Sequence, residues 1–187
     1  MKKYELTTET MEFCGRTLTR IRALINIDRF NVKAGDLGGW IESKKNLSNE
    51  LDAWVYGNAR VYGDASVYGN ALVSGNARVY GDARVYGNAI VYGDAMVYGD
   101  AKVSGNAIVY GDAMVSCDAD YATIKGFGLE YRTTTFFRCK DNTIKVVCGC
   151  FFGTIDEFRK QVIKTRYGKI AEEYLAIADL MERHFQN

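Results

Sequence analysis

The sequence predicts a mainly β protein, in which a parallel β-helix with three hexapeptides per coil is followed by a small C-terminal α+β domain. One six-residue phrase, Ala, variable, Val, Tyr or Ser, Gly, Asp or Asn, runs eleven times from Ala53 to Asp118 without an insertion. A second period of 18 residues appears when every third phrase is compared. Asn and Asp at the last position of the phrase then sort into different columns. Residues 18 apart are therefore expected to lie one above another at the strand spacing of about 4.8 Å.

The alternation within each phrase predicts which side chains point inward. Val and Ala are expected to fill the interior, and the variable residue and Tyr to point outward. Gly followed by Asp or Asn is typical of a corner, because Gly tolerates positive φ and Asx side chains accept backbone N–H groups. The variable position then forms three outer columns: Trp54, Leu72, Ile90 and Ile108; Arg60, Arg78, Met96 and Met114; Ser66, Arg84, Lys102 and Asp120.

This phrase resembles the repeat of the left-handed parallel β-helix in the hexapeptide-repeat family. That repeat sets an aliphatic residue four positions before a small one, and Val55 and Ala59 begin the series here. The resemblance, rather than the spacing, implies a left-handed coil. It also implies a homo-oligomer, with a trimer favoured.

The flanking segments are expected to cover the open ends of the β-helix, which would otherwise expose unpaired strand edges. Residues 1–52 predict strands, including Arg16–Ile27, and an irregular first coil around Gly35–Ile41. The repeats occupy 53–122. Residues 123–187 predict a hairpin of Thr133–Cys139 and Thr143–Phe151, turning near Asp141 and Asn142. A capping box of Thr154 and Glu157 then predicts a helix to about Arg166, a break at Gly168, and a second helix over Ile170–Phe185.

Both flanks resemble uncharacterised phage and prophage proteins with hexapeptide repeats. The resemblance is carried by Gly35–Glu42 before the repeats, and by Thr133–Arg138 and Cys148–Phe158 after them. It implies a viral or prophage context and brings no activity with it.

Composition gives little direction toward a partner. The net charge is +1, so neither direct DNA binding nor membrane binding is expected. The polar segment 1–10 and five cysteines without a dense framework favour the cytoplasm, which would be the host cytoplasm for a phage protein.

Three classes of function remain open. A non-catalytic binding or scaffold protein fits best, and a phage protein of this kind would antagonise its host by blocking a host protein or sequestering an anionic, nucleotide-type ligand. The alternative is an acyltransferase that uses coenzyme A or acyl carrier protein, which usually needs a His as general base. The only histidine is His184, in the last predicted helix, so no catalytic residue and no cofactor are expected. A structural assembly protein is a further alternative.

Three groups of residues are candidates for a site. Cations interleaved with aromatic rings can hold a planar anion, and this set is Arg60, Arg78, Arg84, Lys102, Tyr62 and Tyr80. An apolar strip can be covered by the chain's own ends or by another subunit, and this set is Trp54, Leu72, Ile90, Ile108, Tyr92 and Tyr110. Three thiols, Cys139, Cys148 and Cys150, are weak metal candidates, and buried reduced cysteines in a hairpin are the alternative.

Overall fold

The computed structural model describes residues 2–128 and 130–186 of the chain. The chain begins with an antiparallel hairpin of β1 (Tyr4–Phe13) and β2 (Arg16–Ala23), and β2 pairs with β3 (Leu37–Ile41). The strand predicted over Arg16–Ile27 thus ends at Ala23. The preceding strand β1 was not expected, because its polar residues show no inward-facing pattern. Its position is set by the register of its pairing with β2.

Residues 53–118 form a parallel β-solenoid of eleven two-residue strands. The strands are β4 (Trp54–Val55), β5 (Arg60–Val61), β6 (Ser66–Val67), β7 (Leu72–Val73), β8 (Arg78–Val79), β9 (Arg84–Val85), β10 (Ile90–Val91), β11 (Met96–Val97), β12 (Lys102–Val103), β13 (Ile108–Val109) and β14 (Met114–Val115).

The predicted stacking of residues 18 apart is confirmed. Trp54 pairs with Leu72, Leu72 with Ile90, and Ile90 with Ile108. Three faces result: face 1 contains β4, β7, β10 and β13, face 2 contains β5, β8, β11 and β14, and face 3 contains β6, β9 and β12. The left-handed sense of the coil stays a prediction from the family resemblance.

The interior is dry and uniform. Every Val from Val55 to Val115 and every Ala from Ala53 to Ala113 at the inward positions of the repeats is fully buried. At the corners, the repeat glycines have φ between 62° and 78°, as expected for a left-handed conformation. Asn side chains also bond from coil to coil, since Asn70 Nδ2 donates to Asn88 Oδ1 at 3.3 Å and Asn88 Nδ2 to Asn106 Oδ1 at 3.1 Å.

An irregular coil precedes the first repeat. Strand β3 lies parallel on face 2, with Trp40 opposite Arg60, and Leu47 forms a parallel bridge to Val67 on face 3. The two adjacent glycines of this coil allow close approach. A Cβ on Gly38 would lie 2.7 Å from Val55 O, and one on Gly39 would lie 2.7 Å from Ala59 O.

The C-terminal part has its own core. Strands β15 (Tyr121–Phe127), β16 (Arg132–Arg138), β17 (Ile144–Cys148) and β18 (Phe151–Thr154) form an antiparallel sheet in that order. The predicted hairpin is β16 and β17, with Asn142 at φ 63° in its turn, but its second strand ends at Cys148, because the chain turns at Gly149 and Phe151 begins β18. Strands β15 and β18 extend the predicted hairpin on both sides.

Two helices pack on this sheet, α1 (Ile155–Thr165) and α2 (Gly168–His184). The predicted capping box is present, since Glu157 N donates to Thr154 Oγ1 at 3.2 Å and Thr154 N donates to Glu157 Oε2 at 2.8 Å. Gly168 begins the second helix rather than lying in the break. Its φ of 55° turns the chain there, so the interruption falls one residue earlier than expected.

Candidate functional site

The outer tyrosines form stacked columns along the solenoid. On face 2, Tyr62 stacks on Tyr80 and Tyr80 on Tyr98, with 5.1 Å between ring centroids in each pair. On face 3, Tyr68 stacks on Tyr86 at 4.9 Å. The coil repeat is close to an aromatic stacking distance, so identical positions in successive coils bring their rings face to face.

This stacking corrects one expectation for the ligand site. Tyr80 has a ring on both sides, and Tyr62 has Tyr80 on one side and the edge of Phe13 nearby, at 5.8 Å between centroids. Tyr80 therefore has no free face on which a ligand ring can stack, and one face of Tyr62 is taken by Tyr80, because the repeat itself supplies these stacking partners. Burial raises the pKa of both phenols, and the nearby Arg78 guanidinium partly opposes this.

The four predicted cations lie on two faces. Arg60 and Arg78 pair in register on face 2, and Arg84 and Lys102 do so on face 3. The Arg60 guanidinium lies 4.4 Å from the ring centroid of Phe13, and Lys102 Nζ lies 3.7 Å from Asp118 Oδ2. Arg78 and Arg84 form no ion pair within residues 2–128 and 130–186. Among the described residues, face 2 therefore presents two cations without a carboxylate partner, Arg60 and Arg78, and face 3 presents one, Arg84.

The apolar column of face 1 is covered at both ends by the chain itself. Trp54 is fully buried, beneath the first coil at Gly38. At the other end, Ile108 N donates to Thr135 Oγ1 at 3.0 Å, and Tyr110 meets Phe152 edge-to-face at 4.7 Å. Trp54 was expected to point outward as part of a docking strip, and its burial removes it from that surface. Leu72, Ile90 and Tyr92 remain half-buried along the middle of the column.

The three candidate thiols do not converge. Cys139 is the first residue after β16, at the turn of the hairpin. Cys148 pairs with Thr134 at the opposite end of the same hairpin. Burial, with Asp112 nearby, raises the pKa of Cys139 to about 12. Across the described part of the chain, no cluster of three or more His, Cys, Asp or Glu side chains is placed to hold a metal ion.

Cys148 and Cys150 instead line a cavity of about 370 Å³ in the C-terminal domain, together with Arg132 and Arg166. Arg132 is paired with Glu130 at 2.9 Å, and the Thr134 hydroxyl donates to Cys148 Sγ at 3.2 Å.

His184 is exposed on α2, with its ring edge-to-face on Phe185. The only histidine is therefore carried by the C-terminal domain and not by a coil.

Both ends of the solenoid are closed by polar side chains that the repeat pattern does not reveal. At the first coil, Lys3 Nζ donates to Ala53 O at 2.6 Å, and Asn46 Nδ2 donates to Ala65 O at 2.8 Å. At the last coil, Thr135 Oγ1 accepts the N–H of Ile108.

No helix among the described residues is long and apolar enough to cross a membrane.

Comparison with known families supports the repeat assignment. The model of the YdcK β-solenoid repeat matches residues 53–69, 65–81, 77–93, 83–99 and 101–116. All five matches fall within the observed solenoid, which confirms the expected similarity to a β-helix repeat family. No curated protein matches the chain.

Proposed function

We propose that this β-solenoid repeat protein is a non-catalytic, cytoplasmic binding protein that captures an anionic, nucleotide-type ligand on a basic face of the solenoid. The observation that carries the proposal is the placement of Arg78 and Arg84. Each extends from a rigid parallel sheet beside a tyrosine column, and neither is neutralised by a carboxylate among the described residues. Charge-assisted hydrogen bonds from arginine are well suited to phosphate.

The closed ends of the solenoid support a discrete binding protein over an assembly that grows end to end. Polymerisation through the coils would need free backbone groups at both ends. Lys3 and Asn46 occupy carbonyl groups of the first coil, and Thr135 occupies an N–H group of the last. The sides of the solenoid, rather than its ends, are therefore the surfaces offered to a partner.

The flanking segments suggest the biological setting of this proposal. In the phage or prophage context that the resemblance of the flanks implies, capture of a nucleotide signal would weaken a host response that depends on that signal. A rigid solenoid suits this role, because its side chains are held in place before the ligand arrives and little freedom is lost on binding. Blocking a host protein is the other form of antagonism, and capture of a host protein without nucleotide binding would favour it.

The test is calorimetry with the full chain against a panel of linear and cyclic mononucleotides. Arg78→Ala reports on face 2, Arg84→Ala reports on face 3, and Arg183→Ala, an exposed arginine on α2, is the matched control. Loss of a charged hydrogen bond of about 1.5 kcal/mol predicts roughly tenfold weaker binding for one face variant and unchanged binding for the control. If no nucleotide binds, or if neither face variant changes the affinity, the proposal is wrong.

A further inference from the structure

Serine interrupts each tyrosine column once, and the three interruptions differ. The positions are Ser74 on face 1, Ser104 on face 3 and Ser116 on face 2. On face 3, Tyr68 and Tyr86 are stacked with only 2° between their ring planes, and the next position in the column is Ser104. The side of Tyr86 that faces the C-terminal end therefore has no ring from the column beneath it.

A cavity lies where that ring is missing. Its volume is about 280 Å³, and it is lined by Tyr86, Lys102, Ser104, Asp118, Tyr121 and Thr123. This is many times the volume of one water, about 30 Å³, and it lies near the lower end of the range for ligand pockets, about 300 Å³. The space thus suits a small ligand with one ring system.

The cavity exists because face 3 ends one strand earlier than the other two faces. Face 3 has three solenoid strands, and after β14 the chain leaves the coil through a short 3-10 turn, Asp118–Asp120, and enters β15. Tyr121, the first residue of β15, donates its hydroxyl to Lys102 O at 2.5 Å. Among the lining residues, Tyr86 is thus held by ring stacking and Tyr121 by a hydrogen bond, so both rings are positioned before a ligand binds.

The rim of this cavity carries two cations and one carboxylate. Lys102 lines it, and Arg84 lies one coil away in register with Lys102 on the same face; both side chains are exposed. Asp118 Oδ1 accepts the backbone N–H of Lys102 at 2.8 Å, and Asp118 Oδ2 lies 3.7 Å from Lys102 Nζ, so the positive charge without a carboxylate partner among the described residues is that of Arg84. Ser104 and Thr123 add hydroxyl groups that can bond to the edge of a heterocycle.

The other two serines lack this combination. Ser116 is already occupied, since both its N–H and its hydroxyl donate to Asp120 Oδ2, at 2.8 and 2.6 Å. Ser74 lies on face 1, where the neighbouring variable positions Leu72 and Ile90 are apolar. Only the interruption at Ser104 joins a missing ring to a pair of cations.

We propose that the cavity between Tyr86 and Tyr121 is the binding site for the base of a mononucleotide, with the base against Tyr86 and the phosphate on Arg84 and Lys102. This rests on the proposed function and assigns it to face 3. Stacking of a base on an aromatic side chain is worth about 1–3 kcal/mol, and the lysine and arginine add attraction to the phosphate. Ser104 and Tyr121 are residues that the sequence did not single out for ligand binding.

The experiment measures the affinity of the full chain for adenosine, guanosine, cytidine and uridine 5′-monophosphates. Ser104→Tyr places the chain's own ring in the cavity, and Tyr already occupies this position in eight of the eleven repeats. We expect at least a tenfold loss of affinity. The matched control is Ser74→Tyr, the same substitution at the same repeat position on face 1, for which affinity should not change.

A second variant guards against misfolding of the first. Tyr86→Ser removes the ring on which the base would stack, so we expect about a tenfold loss of affinity for the mononucleotide. The repeats use serine at this position elsewhere, so the melting temperature should stay within a few degrees of the wild type. Ribose 5-phosphate, which lacks the base, should bind at least tenfold more weakly than the best mononucleotide.

The outcomes separate this inference from the proposed function. If mononucleotides bind and Arg78→Ala weakens them while Ser104→Tyr and Tyr86→Ser do not, the cavity proposal is wrong and the binding function stands. Equal losses for Ser104→Tyr and Ser74→Tyr, or equal affinity for ribose 5-phosphate, would also overturn the cavity proposal. If no mononucleotide binds at all, both proposals are wrong.

Discussion

The two ends of the solenoid are closed in different ways. The N-terminal end is closed by residues whose buried side chains belong to the same hydrophobic cluster as the coils, including Tyr4 and Ile21. The C-terminal end is closed by one face of a sheet, whose Phe137, Cys139 and Val147 join the cluster of the coils, while its other face packs in a separate cluster around Phe136 and Phe158. The first end therefore belongs to the solenoid core alone, whereas the second is a sheet shared between that core and the core of a C-terminal domain, and it leaves a cavity on face 3.

The hydrogen bonds at the N-terminal end show what a coil needs when no regular coil precedes it. In the regular coils, each inward Ala carbonyl accepts the N–H of a variable residue one coil earlier, as Ala71 O does from Trp54 N at 2.9 Å. At the first coil three different donors replace that N–H: Lys3 Nζ to Ala53 O, Trp40 N to Ala59 O and Asn46 Nδ2 to Ala65 O. Glu42 also accepts the N–H of Gly63 at 2.7 Å.

At the C-terminal end, acceptors take the N–H groups that would otherwise bond to a further coil. Asp118 Oδ1 accepts from Lys102 N and Thr135 Oγ1 accepts from Ile108 N. Asp118 is exposed and Thr135 is fully buried at this end, whereas both Lys3 and Asn46 are almost completely buried at the other. Lys3 and Asn46 each donate two hydrogen bonds, and Thr135 provides one neutral acceptor, so substitutions should be more damaging at the N-terminal end.

The largest effect is expected for Asn46→Asp. The amide of Asn46 donates to both Gly63 O and Ala65 O, at 2.9 and 2.8 Å, and a carboxylate cannot donate to either. The substitution buries an unpaired charge against two carbonyl oxygens, which predicts a loss of about 3 kcal/mol in the free energy of unfolding. Urea denaturation followed by circular dichroism measures it.

Asn58→Asp is the matched control for this change. Asn58 lies at an exposed corner, and the same column carries Asp94 and Asp112 in later coils. We expect a change of less than about 0.5 kcal/mol there. A loss at Asn46 no larger than that at Asn58 would show that the N-terminal end does not depend on this donor.

A smaller loss is expected for Lys3→Met. The ammonium donates to Leu51 O and Ala53 O, and its removal leaves the buried Ala53 carbonyl without this partner, at a cost of about 2 kcal/mol. Removal of the buried charge offsets part of that cost, which is why the effect ranks below Asn46→Asp. Lys2→Met is the control, because Lys2 is exposed.

The difference in the free energy of unfolding between the wild type and Lys3→Met should depend on pH. Burial lowers the pKa of Lys3 from 10.5 to about 8, with Asp52 opposing the shift. Between these values the unfolded chain holds more protons than the folded one, so stability from this group rises with pH. The advantage of the wild type over Lys3→Met should therefore grow from about pH 8 to about pH 10.5, and a constant difference over that range would contradict the assignment.

The repeats and the ends differ in how far the sequence predicts them. The coil is specified locally, since Ala and Val recur at fixed positions and each stacks on an identical residue 18 positions later. The donors at the first coil come from far along the chain, as Lys3 and Ala53 are separated by 50 residues. No periodicity links Lys3 to Ala53, and a lysine near a terminus is expected to be exposed. The hairpin and the capping box of Thr154 and Glu157 were predictable because their signals are local.

The candidate site divides along the same line. The columns of Arg60, Arg78, Arg84 and Lys102 follow from the period of 18 residues. The stacking of Tyr62 on Tyr80 also follows from it, but only when the coil spacing is compared with the thickness of a ring. The cavity under Tyr86 depends on where β15 leaves the coil, and this is set by the C-terminal sheet rather than by the repeats.

The smallest effect is expected at the C-terminal end, for Thr135→Val. Valine keeps the shape of threonine but removes the acceptor for Ile108 N, which predicts a loss of about 1 kcal/mol. Thr133→Val, two residues earlier on β16, is the control. Hydrogen exchange makes the comparison sharper, because the amide of Ile108 should exchange faster in Thr135→Val while that of Trp54, at the opposite end, should not. Equal acceleration at both ends would mean that the C-terminal domain stabilises the whole solenoid, and that the two ends are not independent.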